Sequence, residues 1–103
     1  MRSETVGRRT VADQGVDARI VALRRSVDRV RRELAEHPAQ LPDRQAAEEE
    51  LAELDAMARA GSVLEPARLR ESLLLVAAAV GSVSALHSAL AELRGAIEVF
   101  GAS

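Results

Sequence analysis

The architecture is decided by one long stretch at residues 66–100, which reads PARLRESLLLVAAAVGSVSALHSALAELRGAIEVF. Its larger apolar residues recur at steps of three and four, which is the spacing of one face of an α-helix. The stripe comprises Leu69, Leu73, Val76, Val80, Val83, Leu86, Leu90, Leu93, Ile97 and Phe100. Pro66 suits the first turn of a helix, where its missing N–H group leaves no hydrogen bond unmade. The spacing therefore predicts a long helix over 66–100, the third in the chain.

Two shorter amphipathic helices precede this stretch. The first is predicted at 17–36, with a stripe formed by Ile20, Leu23, Val27, Val30 and Leu34. It should end at His37, because a residue that precedes a proline is pushed out of the α region. The second is predicted at 43–60, with a stripe formed by Ala47, Leu51, Leu54 and Ala58. The connector between them is short, which favours an antiparallel hairpin.

The third helix has a candidate break at 81–82. Two successive steps of three interrupt the stripe there, and the residues are Gly81 and Ser82, a usual site for a kink. An unbroken helix would be about 50 Å long, against about 27–30 Å for each of the first two. Either the chain bends and closes a four-helix bundle, or a second subunit covers the overhang. We favour the second, because the segment at 73–80 (LLLVAAAV) is apolar on every side and needs cover all round.

The expected fold is therefore all-α: an antiparallel helical hairpin plus a long or kinked third helix, in a dimeric three- to four-helix bundle. Residues 1–14 contain only isolated apolar positions and are expected to form a flexible N-terminal arm. Residues 15–103 form one helical domain. The arm has no apolar region of the kind found in signal peptides, and the chain has no cysteine, so a cytoplasmic location is expected.

The sequence shows none of the residue arrangements that catalysis, metal binding or nucleotide binding would need. Ser84, His87, Ser88 and Glu92 share a helix face, but mid-helix N–H groups are already bonded and cannot stabilise an oxyanion. Consecutive acids at 48–50 diverge around their helix, so they should not converge on a metal ion. The six glycines are scattered, which excludes a P-loop and a dinucleotide-binding fingerprint. We therefore expect no catalytic activity, no cofactor and no metal.

The first helix carries most of the basic charge. Its outward arginines, Arg24, Arg25, Arg31 and Arg32, are the candidate partner-facing residues. Clustered arginine suits phosphate, which keeps a nucleic-acid role open, but the net charge is −2 and the only aromatic residue is Phe100. The alternatives are an acidic protein partner, or ion pairs from Arg24 and Arg31 to Glu48, Glu50 and Asp55 of the second helix.

Residues 72–91 are twenty positions without a charge, which is the length of a membrane span. Small residues recur in the stretch every fourth position, as in self-associating membrane helices. Four serines and His87 interrupt it, and no Trp or Tyr marks an interface. These features favour a buried helix over a single-pass membrane segment, which we keep as a third alternative.

Three stretches, ALRRSVDRVRRELAEHP, LPDRQAAEEELAELDAMARAG and RLRESLLLVAAAVGSVSAL, resemble a family of short uncharacterised helical proteins from GC-rich actinobacteria. The resemblance covers residues from about 17 to 100. It implies a compact helical fold and supplies no activity, ligand or functional residue.

The sequence thus predicts a non-catalytic helical interaction or oligomerisation module, such as a small regulatory adaptor. We expect a coiled-coil-like homodimer with an unidentified protein partner. The predicted self-association surface is formed by Leu73, Val76, Val80, Val83, Leu86, Leu90, Leu93, Ile97 and Phe100. A nucleic-acid-associated protein that uses the arginine-rich first helix is the main alternative.

Overall fold

The computed structural model describes residues 2–38, 40–60 and 64–101, with side chains described from residue 18 onward. Within these ranges the chain forms four α-helices and no strand: α1 (Arg2–Glu36), α2 (Arg44–Arg59), α3 (Pro66–Val80) and α4 (His87–Glu98). Single 3-10 turns at Ser84–Leu86 and Val99–Gly101 flank α4. The predicted all-α fold is confirmed.

The helices form a closed ring of four. α1 packs against α2 and α4, and α3 packs against the same two helices, so each helix lies beside its neighbours in the chain and α4 returns to α1. The chain therefore bends at the predicted break and closes a four-helix bundle. The unbroken third helix that we favoured is wrong, and the overhang that it implied for a second subunit does not form.

The bend is built around Gly81. Its N–H group donates to the carbonyl oxygen of Ala77 at 2.7 Å, and the Val83 N–H group donates to Val80 at 3.1 Å. A Cβ atom at position 81 would run into that same Ala77 oxygen, so the bend requires glycine. The ring of His87 then donates from Nε2 to the carbonyl oxygen of Gly81 at 2.8 Å. This bond fixes the start of α4 against the end of α3.

The core is made from the predicted stripes. Every helix contributes fully buried side chains, among them Leu23, Val27, Val30, Leu34, Leu51, Leu54, Val76, Val80, Leu93 and Ile97. Two buried serines find partners within it. Ser26 donates to the carbonyl oxygen of Leu23 at 2.8 Å, and Ser72 donates to Glu50 Oε1 at 2.6 Å. The second of these bonds joins α3 to α2.

One predicted end of α1 agrees with the structure and the other does not. Its C-terminus at Glu36 is as predicted, and the Arg44 guanidinium covers it by donating to the carbonyl oxygens of Leu34 and His37 at 2.5 and 2.6 Å. Its start is not as predicted. α1 begins at Arg2 and not at 17, so the backbone of the expected arm is helical. A helix already nucleated by packed turns extends at little cost, even where its residues show no apolar period.

Candidate interaction surfaces

The nine residues predicted to form the self-association surface lie inside a single chain. Val76, Val80, Leu86, Leu93 and Ile97 are buried, and Leu73, Val83, Leu90 and Phe100 are partly buried against the same core. The bend explains this placement, because it turns the stripe of one long helix into the inner faces of α3 and α4. Within one chain, only the exposed fractions of the four partly buried residues are left for contact with a second copy.

Arg24 and Arg31 are directed towards α2, as in the ion-pair alternative. Arg24 Nε lies 3.9 Å from Asp55 Oδ1, and Arg31 Nη1 lies 3.9 Å from Asp55 Oδ2. Arg59 reaches the same carboxylate at 2.6 Å, and this hydrogen bond raises the pKa of Arg59. The acid that faces the arginines is thus Asp55, whose side chain is only 12% exposed. Glu50 instead accepts from Ser72.

Arg25 and Arg32 point outward from α1. Arg25 is exposed and has no hydrogen bond or ion pair with any residue that the structure describes. Arg32 is also exposed, and among the described residues its Nε donates only to the backbone oxygen of Asp28, at 3.4 Å. Two of the four candidate basic residues are therefore directed towards Asp55, and the other two point away from it.

Arg29 pairs with Glu33 one turn along α1 and also ties α1 to α4. Its Nε contacts Glu33 at 2.8 Å, and its Nη1 contacts Glu92 at 2.6 Å. Its Nη2 donates to Ser88 at 3.1 Å. The hydrogen bonds to Glu33 and Glu92 raise the pKa of Arg29. The contact with Glu33 follows from the i, i+4 spacing within one helix, whereas the other two contacts depend on how α4 folds back.

A groove runs between α1 and α4 beside this contact, with a volume of about 410 Å³. Its lining includes Ala18, Ala22, Arg25, Gly95, Ala96 and Val99. The Arg29–Glu92 pair closes one end. At the other end the guanidinium carbon of Arg19 lies 4.8 Å from the centre of the Phe100 ring. We call this the α1–α4 groove.

A different surface lies on the outer side of α3. Leu74 and Leu75 are 69% and 51% exposed, and Ala78, one turn further on, is exposed beside them. We call these three residues the α3 patch. One turn before the patch, Glu71 is paired with Arg68 at 3.0 Å, whereas the exposed Arg70 has no ion pair with any residue that the structure describes. The patch is therefore apolar, with its charges confined to its N-terminal side.

The other candidates from the sequence are dispersed. The His87 ring bonds to the carbonyl oxygen of Gly81, whereas Ser88 and Glu92 both contact Arg29, so these three side chains do not form one group. No group of three acidic or histidine side chains in the described ranges is arranged to hold a metal ion. The uncharged stretch at 72–91 is divided by the bend, and none of the described helices is long and apolar enough to cross a membrane.

The fold and these surfaces define a small four-helix bundle with two distinct outward-facing apolar features. The chain belongs to DUF5955, a family of unknown function whose model matches residues 12–101. The predicted membership of an uncharacterised family is thereby confirmed. No curated protein and no solved structure matches the chain.

Proposed function

We propose that this protein is a non-catalytic helical interaction module that self-associates through the α3 patch. The observation that carries the proposal is the exposure of Leu74 and Leu75, at 69% and 51%, side by side in the middle of one helix. Single exposed leucines are ordinary, but contiguous exposed apolar side chains mark surfaces that bind another protein. Ala78 extends the patch by a further turn.

The charges around the patch permit a second copy of the chain as its occupant. In an antiparallel two-fold dimer centred on Leu74 and Leu75, the residues before the patch lie opposite the residues after it. The charges before the patch are Glu71, which is paired with Arg68, and the exposed Arg70, whereas residues 79–82 after it carry no charge. Two patches can therefore approach without electrostatic repulsion.

The size of the patch predicts a weak dimer. Burying the remaining exposed fractions of four leucines, two from each protomer, contributes about 4–7 kcal/mol. Association costs about 4–15 kcal/mol in lost translational and rotational freedom. These terms nearly cancel, so we expect a dimer that dissociates on dilution, with a Kd weaker than about 1 μM.

The test is light scattering coupled to size exclusion over a range of protein concentrations. The mass should rise with concentration from the monomer value of 11.0 kDa towards twice that value. Leu74→Glu/Leu75→Glu should hold the chain at the monomer mass at every concentration. The matched control is Val21→Glu, which places the same charge at an apolar site of α1 that is 46% exposed.

Two outcomes contradict the proposal. One is a wild-type chain that keeps the monomer mass up to about 1 mM, where even a very weak complex would form. The other is loss of the dimer in Val21→Glu but not in the α3 double variant, which would place the contact on α1.

The nucleic-acid alternative has weaker support. It needs Arg24, Arg25, Arg31 and Arg32 to act together on phosphate groups. Arg24 and Arg31 are directed towards Asp55, which leaves only Arg25 and Arg32 as outward-facing members of the set.

A further inference from the structure

We infer that the α1–α4 groove binds an acidic amphipathic helix of a partner protein. This goes beyond the proposed self-association, because the groove and the α3 patch are separate surfaces on different helices. Three features of the groove favour this partner: a floor of small residues, a glycine that the chain's own packing does not require, and a border whose positive charge has no ion pair among the described residues.

The floor of the groove allows close approach. Ala22 of α1 faces Ala96 of α4 across it, and Gly95 lies beside Ala96. Side chains this short leave room for the backbone of another helix to lie against the bundle. Exposed Val99 lines the same groove, so the lining is apolar as well as formed by short side chains.

Gly95 is unexplained by the fold of the chain. It lies within α4, where glycine disfavours the helix. A Cβ atom added there would meet no atom within 4 Å, unlike one at Gly81. The bundle would therefore accept a larger residue. A partner helix that packs directly on this position would explain the glycine, because glycine allows another backbone to approach closely.

The positive charges at the border of the groove favour an acidic partner. Arg25 stands at the rim without a partner among the described residues. Glu92 is the one acid among the described lining residues, and it is paired with Arg29 at 2.6 Å. Arg19 adds a second positive charge near Phe100. A partner with carboxylates beside its apolar face would be attracted, whereas a second copy of this groove would bring arginine against arginine.

The spacing of the lining residues limits the contact to a short helix. From Glu92 to Val99 the groove extends about 10 Å along α4, which is two helical turns. A bound helix would present small or medium apolar residues at positions i, i+4 and i+7. Acidic residues next to these positions would reach Arg25.

The experiment uses the full chain and a displayed library of helical peptides of about four turns. Their apolar positions vary among Ala, Val and Leu, and the flanking positions vary among Glu, Gln and Lys. Recovered binders should carry Glu in preference to Lys. In amide NMR spectra they should shift Ala22, Ala96 and Val99.

Gly95→Leu should weaken binding at least about tenfold without lowering the thermal midpoint, because the added side chain fills the groove and not the core. The matched control is Ala56→Leu, which adds similar bulk at an exposed site of α2 outside the groove and should keep full affinity. Arg25→Glu should reverse the preference between Glu and Lys. Leu74→Glu/Leu75→Glu should bind normally, which separates this test from that of self-association.

Other outcomes would overturn the inference. Recovery of no binder, a preference for Lys, or equal binding by Gly95→Leu would remove the acidic helix as the occupant. Loss of the dimer in Gly95→Leu would assign the groove to a second copy. Binding of duplex DNA that Gly95→Leu abolishes would assign it to nucleic acid.

Discussion

The α3 patch and the α1–α4 groove are both apolar, yet they suit different occupants. The patch is convex, because Leu74 and Leu75 project from the helix. The groove is concave, with Ala22, Gly95 and Ala96 in its lining and with Arg25, which has no ion pair among the described residues, at its rim. A convex surface can pack against its own copy, whereas a concave surface with a positive border needs a partner of another shape and charge. The shape of the two surfaces, more than the amount of apolar area, distinguishes them.

The largest expected effect is the difference in stability between removing a buried leucine of α4 and removing an exposed leucine of the α3 patch. Leu93→Ala should lower the free energy of unfolding by about 2–5 kcal/mol, since Leu93 is completely buried. Leu74→Ala removes the same atoms from an exposed site and should change it by less than about 0.5 kcal/mol. Urea denaturation at low protein concentration, where the monomer dominates, measures both values. Equal losses would show that Leu74 is buried in solution and that the α3 patch does not exist.

The second effect concerns the bend that places α4 beside α1 and so creates the groove. Gly81→Ala forces a Cβ atom against the carbonyl oxygen of Ala77, so the backbone must shift. We expect a loss of about 1–3 kcal/mol in the free energy of unfolding, the range typical of overpacking. Amide NMR should show the largest changes near Val83 and His87. An unchanged stability would mean that the bend does not depend on glycine.

The third effect is smaller and has the opposite sign. Gly95→Ala should stabilise the bundle by about 0.5–1 kcal/mol, because alanine favours a helix and open space surrounds the site. The same urea titration measures it, with Gly81→Ala as the contrasting glycine variant. A loss of stability at position 95 would show that the chain itself requires this glycine, which would weaken the case for a partner helix.

The apolar period predicted the helices and the core well, because each buried stripe follows the spacing of its own helix. The apolar period could not predict whether each stripe would contact another helix of the same chain or a second subunit. The residues from Leu73 to Phe100 satisfy the same pattern whether a second subunit covers them or the chain bends and α4 covers them. The two successive steps of three in the stripe and the residues Gly81 and Ser82 signalled the bend, but the apolar character of residues 73–80 on every side outweighed these signals.

The candidate surfaces were less predictable than the core. Leu74 and Leu75 lie within an apolar run that suggested burial, and exposure follows only from the position of α2 and α4. The contact between Arg29 and Glu92 joins residues far apart in the sequence, so no local spacing indicates it. Asp55 was identified as one acid among three, because the register of α1 against α2 decides which of them meets Arg24 and Arg31.

The smallest expected effect distinguishes the roles of Arg29 and Arg25, the two arginines of α1 that lie beside the α1–α4 groove. Arg29→Gln removes the contacts to Glu33 and Glu92, so it should lower the thermal midpoint slightly. The pKa of Arg29 is raised above an already high value, so its stabilising charge persists below that pKa and is lost only as pH rises through it. Salt is therefore the better probe. The difference from wild type should shrink between about 0.01 and 1 M salt, as the Debye length falls from about 30 to about 3 Å.

Arg25→Gln is the matched control, because Arg25 has no ion pair within the described residues. Its thermal midpoint should follow that of the wild type at every salt concentration. The two variants then assign different roles to neighbouring arginines on α1: Arg29 holds α4 in place, and Arg25 is available to a partner. If Arg25→Gln showed the salt-dependent loss and Arg29→Gln did not, the unpaired charge would belong to Arg29, and the acidic face of the partner would have to meet the other end of the groove.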